Sequence, residues 1–179
     1  MTNSPLLNAF NQNNAAFLTY TVGGDPNKET SLEIFREIAR SGADIIECGL
    51  GHGANIGDGG AIQDGTYRAL SNGIKTDDVF DIIKTLRNEF DTNVIIMTYQ
   101  NKIMSYGEDN FLSKCVESKV AGIICVDWPW PLNLNFAAKC KKNNIDFIQL
   151  LCPTTNEERL KLILNDAHDV VYYISMLST

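Results

Sequence analysis

The sequence contains no apolar run approaching the roughly 20 residues that cross a bilayer, so no membrane-spanning helix is expected. It has no basic stretch interleaved with aromatics, and its net charge of −7 supplies no basic face. Nucleic acid and acidic membrane surfaces, which need one, are not expected partners. It has no CxxC pair. The five cysteines, Cys48, Cys115, Cys125, Cys140 and Cys152, are odd in number and scattered. Neither a zinc ribbon nor a dithiol redox motif follows, and free thiols in a reducing, cytoplasmic setting are the expectation. Histidine is scarce: only His52 and His168, with no second ligand at a metal-binding spacing. The polar, Asn-rich start from Met1 to Asn14 lacks the basic-then-apolar pattern of a secretory signal.

What is present is an ordinary globular composition, 44% hydrophobic and 21% charged, long enough for one sizeable core and read as a single domain over 1–179. Short apolar runs recur at Ala16–Val22, Ala43–Gly49, Asn93–Tyr99, Ala121–Asp127, Asp146–Cys152 and Asp169–Met176. They are rich in Ile, Val and Tyr and do not alternate with polar residues, as expected of parallel strands covered on both faces. Between them, Glu29–Arg40, Asp77–Phe90, Asp109–Ser118, Leu134–Asn143 and Asn156–Leu164 carry helical periodicity. Asp25-Pro26 and Thr154-Thr155 read as helix starts, and Gly42 and Gly122 as stops or turns. Strand–helix alternation at about 25-residue spacing means βαβ units and a parallel sheet. One interval is twice as long and holds a Gly-rich loop, Gly49 to Gly60, then a helix around Ile62–Ser71. Long loops in compact domains are usually functional. Six strands are expected, and the last stands next to the end of the sequence at Ser178-Thr179. An eight-stranded barrel takes about 250 residues, so part of a barrel is the expectation, with a six-stranded open sheet as the alternative.

In parallel barrels, chemistry sits at the C-terminal ends of strands. Asp25, Glu47, Asp58, Tyr99 and Asp127 meet that test. Glu47 interrupts Ala-Asp-Ile-Ile-Glu-Cys-Gly where an apolar residue belongs. A carboxyl there is poorly hydrated, which raises its pKa and suits it to acid catalysis. A carboxylate satisfied by loop N–H groups is the alternative. Asp58, among glycines, fits turn geometry, and beside Glu47 it fits a second carboxyl with a different role. Gly49-Leu50-Gly51-His52-Gly53 is a poor dinucleotide signal, because no acid stands about 20 residues on. His52 reads as a solvated loop residue and His168 as polar decoration at a helix end. Trp128 and Trp130 fit either loop packing or the frame of a pocket or interface. Tyr99 fits either core or the cover of an aromatic ligand.

Together these segments resemble the tryptophan synthase alpha chain family. The resemblance rests on Phe17-Leu18-Thr19-Tyr20-Thr21-Val22-Gly23-Gly24-Asp25-Pro26, Ala43 to Gly49, and Asp58-Gly59 with Ile62-Gln63. It continues through Met97-Thr98-Tyr99, Asn101, Tyr106-Gly107, Asp127 with Pro129, Pro153-Thr154-Thr155, Glu158-Arg159 and Tyr172-Tyr173-Ile174-Ser175. It implies a (βα)8 TIM barrel, of which about six strands are present. The implied reaction is retro-aldol cleavage of indole-3-glycerol phosphate to indole and glyceraldehyde 3-phosphate, a carbon–carbon lyase step in tryptophan biosynthesis. Glu47 would protonate the indole ring carbon. Asp58 would hold the indole N–H and stabilise the positive charge developing on the ring. Tyr99, Phe17 and Asp127 would contact substrate. No cofactor is implied in this chain; pyridoxal phosphate belongs to the beta chain, the implied partner in an alpha2beta2 assembly.

The sequence also departs from the family pattern. Gly51-His52-Gly53-Ala54-Asn55 stands where Pro-Phe-Ser-Asp-Pro is usual, in the loop that engages the beta chain. Gly60 replaces a Pro, Trp130-Pro131-Leu132 replaces an acidic stretch, and Lys102 replaces a Pro. The resemblance leads to the expectation that the family's phosphate-binding loops, after strands seven and eight, have no counterpart within residues 1–179. A non-catalytic relative that binds a beta chain, and a barrel enzyme for another phosphorylated substrate, are the competing readings.

Overall fold

In the computed structural model, which describes Ser4, residues 6–10 and residues 15–176, the apolar runs pair side by side in chain order. The expected chain end at Ser178-Thr179 and most of the polar start lie outside the described residues. Strands β1 (Leu18–Val22), β2 (Ile45–Gly49), β3 (Asn93–Thr98), β4 (Gly122–Cys125) and β5 (Asp146–Phe147) form one parallel sheet in the order β1-β2-β3-β4-β5. The fifth expected run does not stay in one ladder. Ile148 donates its N–H to Ile123 O, and the chain then turns to a second sheet. There β6 (Gln149–Leu151) pairs in parallel with β7 (Val171–Tyr173). One bent run thus bridges the fourth and sixth strand positions.

Parallel neighbours need crossovers, and helices supply them. The chain forms α1 (Leu7–Phe10), α2 (Lys28–Arg40), α3 (Gly60–Ser71), α4 (Thr76–Glu89), α5 (Gln100–Tyr106), α6 (Glu108–Glu117), α7 (Leu134–Lys142) and α8 (Glu157–Asp166). The five periodic stretches and the helix in the long interval are all present. The two short helices, α1 and α5, carry too few turns for a periodic signal. Two expected starts move. Asn27, not Asp25-Pro26, caps α2 by accepting from Thr30 N, and Asn156, not Thr154-Thr155, caps α8 by accepting from Arg159 N. Each satisfies an otherwise unpaired first-turn donor.

Two apolar clusters sit on the two faces of the sheet. Ile46, Cys48, Val94, Ile96, Ile123, Cys125 and Phe147 face the helices and pack on Phe35, Leu86, Phe111 and Phe136. Ile45, Ile95, Ile124 and Ile148 face the other way and pack on one another and on Leu6. A sequential strand order without reversal, helices over one face and a separate inner core over the other, is barrel architecture, not a doubly wound sheet. Gly122 is a correction. Expected as a stop, it is the first residue of β4, and a Cβ there would come within 3.0 Å of Leu6 Cδ1 and 3.2 Å of Asp146 O. The stop belongs to Lys119, at φ 56°.

His168 is a second correction. It does not decorate a helix end in solvent. Its buried Nδ1 accepts the Phe147 N–H at 3.0 Å and lies 3.7 Å from Asp146 Oδ1. On the other side, Ser4 Oγ donates to the Asp146 carboxylate and accepts from Leu6 N. This cluster ties the N-terminal segment across the N-terminal ends of the strands and leaves their C-terminal ends for chemistry.

Candidate active site

Parallel register makes residues at one level of neighbouring strands point the same way. Tyr20 of β1 pairs with Glu47 of β2, and Glu47 with Ile95 of β3. Because Ile95 belongs to the inner cluster, Tyr20 and Glu47 project into the barrel interior. Glu47 is only 4% exposed, and no hydrogen bond among the described residues reaches its carboxyl. Burial alone pushes its pKa up to about 7. The carboxylate satisfied by loop N–H groups is therefore not the arrangement found. With a pKa near 7, the carboxyl facing the interior is divided between its protonated and charged forms at neutral pH.

Asp58 reaches the same region from the Gly-rich loop. It is 6% exposed, and its Oδ1 accepts from the Tyr99 hydroxyl at 3.1 Å. The same hydroxyl oxygen accepts the Gly57 N–H at 3.0 Å. Gln63 Nε2 donates to Asp58 O, which pins the loop to the first turn of α3. A Cβ at Gly57 would lie 2.9 Å from Val126 Cγ1 and 3.2 Å from the Tyr99 hydroxyl, so the glycine permits the close approach. Asp58 does more than shape a turn: its side chain is buried and held by one oxygen, and the other takes no hydrogen bond among the described residues. Burial, first, and the neighbouring Asp58 push the Tyr99 pKa up to about 12, so this hydroxyl stays a donor. The His52 ring lies against the Tyr99 ring, centroids 5.4 Å apart.

The remaining expected residues stand further off. Asp127 is exposed at the rim, where its Oδ1 accepts the Gln100 N–H at 2.7 Å and caps α5. Asp25 is committed to a bidentate pair with Arg68, at 2.9 and 2.7 Å, fastening the first loop to α3. Phe17 is not brought to this site. It precedes β1 at the N-terminal end of the sheet, 59% exposed, with its N–H on Asp44 Oδ2. It is thus about four or five residues of strand, roughly 15 Å, below the catalytic ends.

Two further residues that sense Glu47 were missed by reading the sequence. Burial, then the nearby Asp58, Cys48 and Glu47, raise the Tyr20 pKa strongly. Tyr172 of β7, 37% exposed, has its pKa raised by partial burial first and by Glu47 second. Both sit inside apolar runs where a tyrosine reads as core. The available signal was parity: Tyr20 is two residues from Leu18 and from Val22, the level that faces Glu47.

Comparison with known proteins bears on this arrangement. A sequence model of the tryptophan synthase alpha chain family matches residues 6–179. A tryptophan synthase alpha chain of Pelagibacter ubique is 53% identical over 165 residues, which are 92% of this chain and 62% of that protein. The crystal structure of a tryptophan synthase alpha chain from Legionella pneumophila superposes with a TM-score of 0.84 at 33% identity, over 92% of this chain and 62% of that one. A chain of the tryptophan synthase complex from Pyrococcus furiosus gives 0.83 at 35% identity, over 88% and 65%. This chain thus spans a little under two thirds of the length of these relatives. With the family match running through all six strand positions, the chain belongs to the tryptophan synthase alpha chain family.

Proposed function

We propose that this chain carries the acid–base half of a carbon–carbon lyase site that cleaves indole-3-glycerol phosphate to indole and glyceraldehyde 3-phosphate. The observation that carries the reading is Glu47, a carboxyl buried inside the barrel with no hydrogen-bond partner among the described residues and a pKa raised by burial to about 7. Breaking the bond between the indole ring and the glycerol chain requires a proton on the ring carbon that carries the chain. Protonation there puts positive charge on the ring and its nitrogen. The bond then breaks with its electrons returning to the ring, and the adjacent hydroxyl becomes an aldehyde as it loses its proton. The carboxylate that Glu47 has become is a base for that proton, so one residue returns to its starting state.

Asp58 suits the other end of the ring. Its oxygen not engaged by Tyr99 is an acceptor for the indole N–H, and a carboxyl fixed beside a developing cation stabilises the transition state without reorganising. Proton transfer and electrostatics account for the chemistry without a cofactor in this chain. The indole released would pass to a beta chain carrying pyridoxal phosphate, in an alpha2beta2 assembly like those of the family. A cytoplasmic location goes with this reading, and no helix among the described residues is long and apolar enough to cross a membrane.

The test is indole release from indole-3-glycerol phosphate by this chain mixed with a tryptophan synthase beta chain, beside the Glu47→Gln variant. Loss of about 10²- to 10⁴-fold in the variant, with substrate still bound, supports the assignment. Undiminished release removes Glu47 from the acid role.

A further inference from the structure

The two tryptophans of the sequence, Trp128 and Trp130, both line one cavity of about 230 Å³. It lies between the loop after β4, the bent run β5–β6 and α8, and contains neither Glu47 nor Asp58. Leu151, Ile163 and Ile174 complete an apolar lining. The polar amides in its wall are already satisfied: Asn133 and Gln149 donate to each other's oxygens, both at 3.0 Å. One charged residue stands on this lining, Arg159.

Arg159 is also unlike the other arginines. Arg36, Arg40 and Arg68 each hold a carboxylate, and Arg87 is engaged by two carbonyls. Arg159 donates one bond, from Nη2 to Trp130 O at 2.7 Å, and lies over the Trp130 ring, 5.5 Å from its centroid. No carboxylate among the described residues pairs with it. Asp166, on the same helix, takes the Trp130 Nε1–H at 2.9 Å instead. The stacking and the carbonyl bond orient a planar fork of donors, most of them unused, at the edge of an apolar cavity. A guanidinium so placed is matched by a carboxylate, which accepts two parallel N–H bonds. An apolar cavity of about 150 Å³ holds a benzene, so about 230 Å³ leaves room for one ring and a short tail.

We propose that this cavity binds a small aromatic carboxylate, its ring among Trp128, Trp130 and Ile163 and its carboxylate on Arg159. The ligand class is set by one cation that no carboxylate among the described residues pairs with, beside an apolar volume of one-ring size. The inference does not depend on the lyase reading, because the two sites share no residue.

The tryptophans make the test local, since both indole N–H resonances report on this cavity. Phenylacetate is titrated into the isotope-labelled chain, with the neutral phenylacetamide as control. Saturable shifts of both resonances are expected, with a Kd of about 1 mM or tighter for phenylacetate. Phenylacetamide should bind about tenfold more weakly, and Arg159→Gln should bring phenylacetate to the same level without changing phenylacetamide. Arg159→Lys should recover part of the loss. Resonances that stay in place, equal affinities for acid and amide, or unchanged phenylacetate affinity in Arg159→Gln would each overturn the proposal. If Arg159→Gln disturbs the fold, its unliganded spectrum shows it, and the comparison of acid with amide on the unaltered chain decides.

Discussion

The Tyr99 hydroxyl donates to Asp58 Oδ1 at 3.1 Å across 41 residues of sequence, joining the end of β3 to the Gly-rich loop after β2. The same oxygen holds the Gly57 amide, so one phenol fixes both the backbone and the side chain of the loop acid. Tyr99→Phe removes both bonds and keeps the ring. Because the hydroxyl acts through Asp58, its loss is expected to lower kcat/KM for indole release roughly tenfold, with a stability cost of about 1–2 kcal/mol. Steady-state kinetics beside urea unfolding separates the two. An unchanged kcat/KM would show that Asp58 keeps its place without Tyr99.

Glu47 makes stability depend on pH in a direction opposite to that of a salt-bridged acid. Its folded pKa, about 7, lies above the ordinary carboxyl value of 4.5. Between those values the folded chain keeps a proton that the unfolded chain has lost, so stability falls as pH rises through this window. Above it, the buried charge costs about 3 kcal/mol, at about 1.4 kcal/mol per pH unit. Glu47→Gln abolishes that slope, so the variant gains on the parent chain from about pH 5 to pH 8. Urea midpoints across this range measure it; parallel profiles for the two proteins would mean that Glu47 titrates as an ordinary surface acid.

Glu47 was legible in the sequence because a charge in the middle of an apolar strand has few explanations. The six strand positions and the main helices were legible because their periodicities are local. Tyr20 and Tyr172 were not, because an apolar run says nothing about which face meets an acid on another strand; that needs the register. His168 and Asp146 failed for a related reason. They meet only after the fifth run bends at Ile148, and a single histidine before a strand carries no sign of it. Phe17 was carried over with a motif, whereas the structure places it before β1, at the N-terminal end of the sheet. Gly122 looked like punctuation because its neighbour in space, Leu6, is far away in sequence.

Gly49 illustrates how closely the interior is fitted around Glu47. A Cβ on this residue would lie 2.1 Å from the Tyr20 hydroxyl oxygen and 2.8 Å from its Cζ. Both atoms must move if Gly49→Ala is made, and overpacking of this kind costs typically about 1–3 kcal/mol. Adding Tyr20→Phe removes the worse contact and leaves the Cζ contact, so the double variant should recover part of the loss. A double-mutant cycle by urea denaturation gives the coupling. Additive effects of the two changes would show that the Tyr20 hydroxyl is not what Gly49 accommodates.

The cluster at the other end of the strands gives a prediction on the acid side. His168 accepts the Phe147 N–H through Nδ1, which only the neutral ring with a bare Nδ1 can do. Burial, the largest influence, lowers its pKa from the ordinary 6.5, against the pull of nearby Asp146. With the folded value depressed, the unfolded chain binds a proton first as pH falls through about 6.5, and stability declines from there. Lys141 faces the ring too and adds to the depression, while Asp169 opposes it. His168→Ala leaves the Phe147 N–H without its acceptor, at a cost of about 1–3 kcal/mol near pH 8. The variant should lose less than the parent chain on going from pH 8 to pH 5.5, because the titrating group is gone. Hydrogen exchange of the Phe147 amide, read alongside urea midpoints at both pH values, checks the two claims together. A Phe147 amide equally protected in both proteins would show that some group other than His168 holds it.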